Sequence, residues 1–392
     1  MAALLLAFVA FLSLGLPDAL LSVAWPGVRR SFGLSQSDIA WVVLSGSAGY
    51  LASTFFAGPI IRRWGTGRIL AASTTLAALS LAGFAAAPLW SVFVACAAGM
   101  GLGSGAIDSA MNGYAARRFT GRQVSWMHAF FSLGAAVGPW LVTAVLVYGH
   151  SWRSGYGWMA GILGGLAILF ACGQRAWSED SGVRANESHS TLIYRALRIP
   201  AVWLQMGLFF ACVGVELTLG QWNFTVNVES RGLAVELAGF CSGLFWICHM
   251  VGRFAIGIVI DRIGFRNTNR LAMLSALAGV MLFSFGRGPL SLVGLMIAAL
   301  SVAPVFPTLV AGTPERVGKC HSAEAIGFSM GASLLGGSGM SALAGWLADH
   351  LGLESAGYLA VALCGALLIL HETSVWVSKG RGARIDSRGN SP

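Results

Sequence analysis

The stretch Gly99-Met100-Gly101-Leu102-Gly103-Ser104-Gly105-Ala106-Ile107-Asp108-Ser109-Ala110-Met111-Asn112 decides how this chain is read. It holds one carboxylate in an otherwise uncharged, glycine-rich apolar run. At bilayer depth no water solvates such a group, so it is kept there with a partner, a proton or a ligand. Gly101, Gly105, Asp108 and Asn112 fall at i, i+4, i+7 and i+11, one stripe of an α-helix. Two small residues let a neighbouring helix or a ligand approach, and two polar residues stand beside the opening. Two uses are open: a helix contact with Asp108 satisfied by a neighbouring hydroxyl, or a polar site. A dinucleotide loop is excluded, because no strand precedes the glycines and an apolar span contains them.

The rest of the chain agrees with a membrane setting. Of 392 residues 56% are hydrophobic and 10% charged, against about 25% charged in an ordinary soluble domain. The mean hydropathy is +0.72. A soluble core could not hide this much apolar surface, whereas lipid faces it directly. A spanning helix needs about 20 apolar residues. Such stretches run near 3–25, 38–60, 69–87, 89–113, 126–148 and 155–173, then 201–222, 238–260, 270–286, 289–311, 324–346 and 355–377. The predicted fold is an all-α membrane protein with 12 transmembrane helices in two pseudo-symmetric six-helix bundles. The bundles cover 1–174 and 200–378, joined by a polar cytoplasmic linker at 175–199 and followed by a basic cytoplasmic tail at 379–392, expected to be disordered. The N-terminus is apolar from the start and lacks a clear cleavage site, so it reads as a retained first span.

The formal charge of +9 does not point to nucleic acid, because the basic residues are dispersed over short links between spans. Counted by alternating side, nineteen basic residues fall on one face of the membrane and five on the other, with Arg253 inside a span. That bias places both termini in the cytoplasm, and the compact loops suggest a bacterial inner (plasma) membrane. Seven cysteines, mostly within apolar stretches and without a C-x-x-C pair, indicate neither a disulfide framework nor a metal site. No cofactor is expected. The chain has no nucleophile elbow, metal cluster or ATP-binding loop, so it reads as a non-enzyme that would draw energy from a gradient.

The halves look like copies. Gly58-Pro-Ile-Ile-Arg62-Arg63-Trp-Gly65 follows the second span, and Gly257-Ile-Val-Ile-Asp261-Arg262-Ile-Gly264 the eighth. Gly15-Leu-Pro-Asp18 with Trp25 in the first span parallels Gly214-Val-Glu216 with Trp222 in the seventh. Internal repeats of this kind mark alternating-access transporters, with the site at the midplane between halves. Pro17 removes a backbone donor inside the first span and predicts a local break at Asp18.

These features resemble the major facilitator superfamily over nearly the whole chain. Its loop motif G-x-x-x-D-R-x-G is met in full by Gly257, Asp261, Arg262 and Gly264; in the first half Arg62 stands at the acidic position. Within it, the chain is similar to the fucose–proton symporter family and its glucose-transporting relatives. The likeness lies in Asp108 with Asn112, the run His128-Ala-Phe-Phe-Ser-Leu-Gly134-Ala-Ala-Val-Gly138-Pro139, Glu216 with Trp222, Trp246-Ile-Cys-His249-Met-Val-Gly252-Arg253, and Ala303-Pro304-Val-Phe306-Pro307. Where the fucose symporters tend to carry Glu and Gln, this chain has Asp108 and His128, so sugar identity does not carry over.

The resemblance implies that Asp18 and Asp108 handle the coupling proton. It puts Asn112, His128, Glu216, Trp222 and Trp246 at the substrate, and makes Asp261 and Arg262 gating elements. Each has a plainer reading. Asp18 could bond the backbone freed at Pro17. Glu216 could pair with a basic group. His128 and His249 could be packing histidines, and Trp41, Tyr50, Phe131 and Phe306 offer flat faces that lipid could take equally. Arg253 lies two turns before Asp261 and could snorkel to the cytoplasm. The expected activity is proton-coupled uptake of a small neutral sugar or polyol by a protein working as a monomer in lipid. Proton-linked efflux of sugars or amphipathic compounds, and sodium-coupled symport, stand as alternatives.

Overall fold

The structure, a computed structural model, describes residues 2–177, 197–318 and 321–389. Its helices are α1 (Ala2–Asp18), α2 (Leu20–Phe32), α3 (Ile39–Trp64), α4 (Thr66–Ala86), α5 (Trp90–Arg118), α6 (Gly121–Val147), α7 (Trp152–Cys172), α8 (Pro200–Thr225), α9 (Val235–Phe285), α10 (Pro289–Val302), α11 (Val305–Ala311), α12 (Thr313–Val317), α13 (Ser322–Leu351) and α14 (Ser355–Gly389). Among the described residues, eleven helical segments are long and apolar enough to cross a bilayer. α13, of 30 residues, takes the stretch expected as the eleventh span. α1 and α2 form one segment, Ala2–Phe32, and α9 carries two, Val235–Ala255 and Ile263–Phe285.

The predicted break in the first span is present. α1 ends at Asp18, one residue after Pro17, and Ala19 leaves helical geometry at φ −96, ψ 4 before α2 begins. A second interruption, at Ala303-Pro304, separates α10 from α11. The chain beyond 379 departs from expectation. α14 continues to Gly389, because extending a formed helix carries none of the nucleation cost that an isolated tail would face. Most of the expected linker, 178–196, lies outside the described residues.

Turn glycines carry the repeat into the backbone. Gly65 (φ 78, ψ 155) and Gly264 (φ 73, ψ 160) close the two loop motifs in nearly the same conformation, one open essentially to glycine alone. Helix contacts repeat as well. A Cβ on Gly49 of α3 would run into the Ala98 carbonyl of α5, and one on Gly252 of α9 into the Leu300 carbonyl of α10. Likewise Gly134 of α6 meets Leu12 of α1, and Gly336 of α13 meets Phe210 of α8.

The described chain divides into two compact units that cut across the sequence halves. One comprises Met1–Val183, Gly220–Met250 and Ser341–Glu354; the other comprises Arg184–Leu219, Val251–Met340 and Ser355–Pro392. The first unit holds an apolar core of Phe11, Leu70, Ile107, Met111 and Met127 between α1, α4, α5 and α6. Its tightest seam is α3 against α5. A Cβ on Gly101 would sit inside the Gly46 carbonyl oxygen, and one on Gly105 would lie 2.6 Å from the Tyr50 carbonyl oxygen. Gly101→Val is therefore expected to destabilise the protein by ~1–3 kcal/mol, the range for overpacking. Gly157→Val, at a position with nothing within 4 Å, serves as the neutral control. Thermal unfolding in detergent compares the two.

Candidate functional site

The glycine seam positions Asp108. With α3 and α5 at backbone contact, Tyr50 reaches from α3 and its hydroxyl donates to Asp108 Oδ2 at 2.7 Å. One turn along α5, Asn112 Nδ2 donates to Asp108 Oδ1 at 2.8 Å. Both carboxylate oxygens thus accept a hydrogen bond in a part-buried setting, as an ion in low dielectric requires. Asp108 and Asn112, paired from sequence alone, are brought together. The hydroxyl partner is Tyr50, which the sequence marks only as a flat aromatic face. Its phenol pointing across a seam depends on how two helices pack, and no local pattern encodes that.

Asp18 lies at the break between α1 and α2 and is exposed, although Pro17, Ala19 and Leu20 around it are buried. Asp18 and Asp108 both fall in the first unit. His128 of α6 packs edge-on against Phe11 of α1, ring centroids 4.8 Å apart. It is half-buried on the α1–α6 contact.

The other expected site residues lie elsewhere in the described chain. Trp222 is buried, and its indole N–H donates to the Ser341 carbonyl at 3.0 Å. Trp246 is buried against Phe245 and His249, at 5.3 and 5.5 Å between ring centroids. Their faces are occupied by protein. Glu216, in the second unit, is buried, with Arg253 at 3.7 Å. Arg253 thus pairs with a carboxylate of another span, where the sequence also allowed it to snorkel outward. The side chains of Asp261 and Arg262 lie outside the described residues.

Sequence reading missed a polar cluster at one end of the first unit. The Trp25 indole donates to Gln36 Oε1 at 2.8 Å, and Gln36 Nε2 donates to Glu229 at 3.1 Å. Arg29 pairs with Glu229 at 3.1 Å. Asp349 accepts the backbone N–H groups of Gln36 and Ser37, both at 2.8 Å. Burial pushes the Asp349 carboxyl up, but donors from Ser37, Gln36 and Ser35 outweigh it and hold the group below the ordinary carboxylate range. A depressed carboxyl stabilises the folded form above the ordinary carboxylate pKa, and that contribution is lost as pH falls through the lowered value. Apart from the Trp25–Gln36 bond, these partners lie roughly 190 to 310 residues apart in sequence, so short-range pattern carries no signal for them.

The Glu216–Arg253 pair separates the two readings of Glu216. If its work is structural, Glu216→Gln leaves a buried guanidinium uncompensated, an effect of ~3–5 kcal/mol, and Glu216→Gln with Arg253→Met restores stability. Thermal unfolding of the single and double variants checks this; a stable Glu216→Gln protein would instead place Glu216 at the substrate.

Comparison with known proteins bears on the family and the fold. The family model of the Major Facilitator Superfamily matches residues 3–338. Bypass of stop codon protein 6 of Saccharomyces cerevisiae is 22% identical over 389 residues, covering 90% of this chain and 77% of that protein. The glucose/mannose transporter GlcP of Bacillus subtilis is 20% identical over 333 residues, covering 82% of each. The crystal structure of FucP, the E. coli fucose:proton symporter, in its outward conformation superposes with a TM-score of 0.68 at 16% identity, over 95% of this chain and 98% of that one. At that identity the likeness shows the fold. The family match spans most of the chain and agrees with the apolar helices, the repeated loop glycines and the intramembrane carboxylate: this chain is an integral membrane protein of the Major Facilitator Superfamily, a transporter by family.

Proposed function

We propose that this protein is a secondary active transporter that takes up a small neutral sugar or polyol together with a proton, by alternating access, as a monomer. The observation that supports this most is Asp108, a part-buried carboxylate within an apolar helix whose two oxygens are each held by a neutral donor, in the same unit as Asp18 at the helix break. A carboxylate so held can exist as the ion, and loss of water around it favours the neutral acid. Small conformational changes therefore shift its proton affinity, which is what coupling requires. Asn112 and His128 supply polar groups beside the acids for substrate hydroxyls. The named substrates of the relatives, glucose, mannose and fucose, support a neutral sugar. The arginine bias supports cytoplasmic termini, and the compact loops support a bacterial inner membrane. Asp261 and Arg262 are read as a gate, a carboxylate placed to meet a helix N-terminus.

A gradient of one pH unit supplies about 1.36 kcal/mol per proton, roughly a tenfold accumulation ratio. In liposomes with that gradient, Asp108→Asn is expected to reduce the ratio for a transported sugar to about one while counterflow of labelled sugar persists. Full accumulation by Asp108→Asn would remove Asp108 as carrier. Accumulation following sodium at fixed pH would make sodium the coupling ion, and outward flux against inward protons would make the protein an exporter. Asp261→Ala is expected to slow transport and leave equilibrium binding intact; lost binding in a folded protein would argue against a gate.

A further inference from the structure

We infer that Gln36 is the keystone of a latch that ties the second half of the sequence to the first, at the ends of the spans farthest from the two loop motifs, and that this latch releases once in each transport cycle. It rests on the alternating-access reading proposed above, and it concerns residues outside the loop motifs and the acidic pair.

Gln36 lies in the short link between α2 and α3 and is buried. An amide side chain offers an acceptor oxygen and a donor nitrogen, and both are engaged. Oε1 accepts from the Trp25 indole at 2.8 Å, and Nε2 donates to Glu229 at 3.1 Å. The Gln36 backbone N–H donates to Asp349 Oδ1 at 2.8 Å, beside that of Ser37 to Oδ2. One residue thus joins α2, the single π turn Val226–Ser230 that follows α8, and the last turn of α13. The fit is close. A Cβ on Gly345 of α13 would lie 2.7 Å from the Gln36 carbonyl oxygen and 3.0 Å from the Trp222 ring, so α13 reaches the link only because position 345 has no side chain.

The two carboxylates make separate legs. One leg runs through the Gln36 side chain to Glu229, whose oxygens also accept from Arg29 at 3.1 Å. The other runs through the backbone to Asp349, which faces N–H groups leading into α3, where a helix's positive end favours an anion. Position makes the cluster a latch. α3 begins at Ile39, next to the link, and its 26 residues carry the chain about 39 Å to Gly65. α9 begins at Val235, soon after Glu229, and its first span leads to Gly264. Trp25 and Gln36 belong to one sequence half and Glu229, Gly345 and Asp349 to the other, yet all lie in one compact unit. Alternating access rocks one half against the other around a fixed site. Bonds that cross between the halves at one end therefore have to part when that end opens.

Hydrogen–deuterium exchange of the full-length protein in lipid nanodiscs, followed peptide by peptide in a mass spectrometer, tests this without a substrate. Gln36→Leu removes the side-chain leg and Asp349→Asn weakens the backbone leg, each leaving the other in place. Each is expected to speed exchange over 33–38 and 226–233 by roughly fivefold, the population shift that one lost hydrogen bond produces. Each is also expected to slow exchange at the far ends, 62–68 and 262–268, because one end closes as the other opens. A merely structural cluster would loosen its own surroundings without protecting the opposite end. Faster exchange at both ends, unchanged far ends, or an unchanged 33–38 segment overturns the proposal; should one variant unfold, the other leg's variant decides. A reciprocal shift in a protein that accumulates no sugar under a pH gradient retains the latch and rejects the proton–sugar reading. Accumulation without the reciprocal shift does the reverse.

Discussion

A carboxylate in the middle of an apolar helix is tolerable only if its oxygens are engaged, and Asp108 meets that condition through Tyr50 and Asn112. Much of the first unit's geometry follows from this need. The Tyr50 bond requires α3 and α5 to approach at backbone distance, and that approach requires glycine at 101 and 105. Lipid offers no hydrophobic force to press helices together, so close van der Waals contact between small residues must do it. The stripe is a helix contact in which a neighbouring hydroxyl satisfies Asp108, because the close approach is what delivers the hydroxyl.

The two-fold repeat is structural and chemical in unequal measure. Gly65 and Gly264 share a backbone conformation, and Gly49 and Gly252 occupy equivalent helix contacts. The acids at the paired positions have diverged. Asp18 sits exposed at a broken helix, while Glu216 is buried beside Arg253 in an unbroken one. Proline accounts for the difference: Pro17 interrupts the first span, and the seventh has no proline after Pro200. The half with the break leaves its acid exposed, and the other half pairs its acid with an arginine.

The compact units also show where the copies meet. Segments 220–250 and 341–354 belong with the first six spans, tied in through Gln36, Glu229 and Asp349. Sequence halves and packing units therefore differ at this end of the molecule. The ties are hydrogen bonds and an ion pair.

Sequence alone determined the all-helical membrane class, the break at Asp18, the loop glycines and the placing of Asp108 and Asn112 on one helix face. Each depends on composition or on spacing within a few turns of one helix, where the backbone period fixes which residues meet. Tertiary structure decided that Tyr50 serves Asp108, that Arg253 turns to Glu216, that Trp222 and Trp246 are sheathed in protein, and that Asp349 receives the 36–37 backbone. Those outcomes depend on which faces of distant helices are in contact, and a one-dimensional pattern of apolar residues is nearly the same for every face that lipid or another helix could cover.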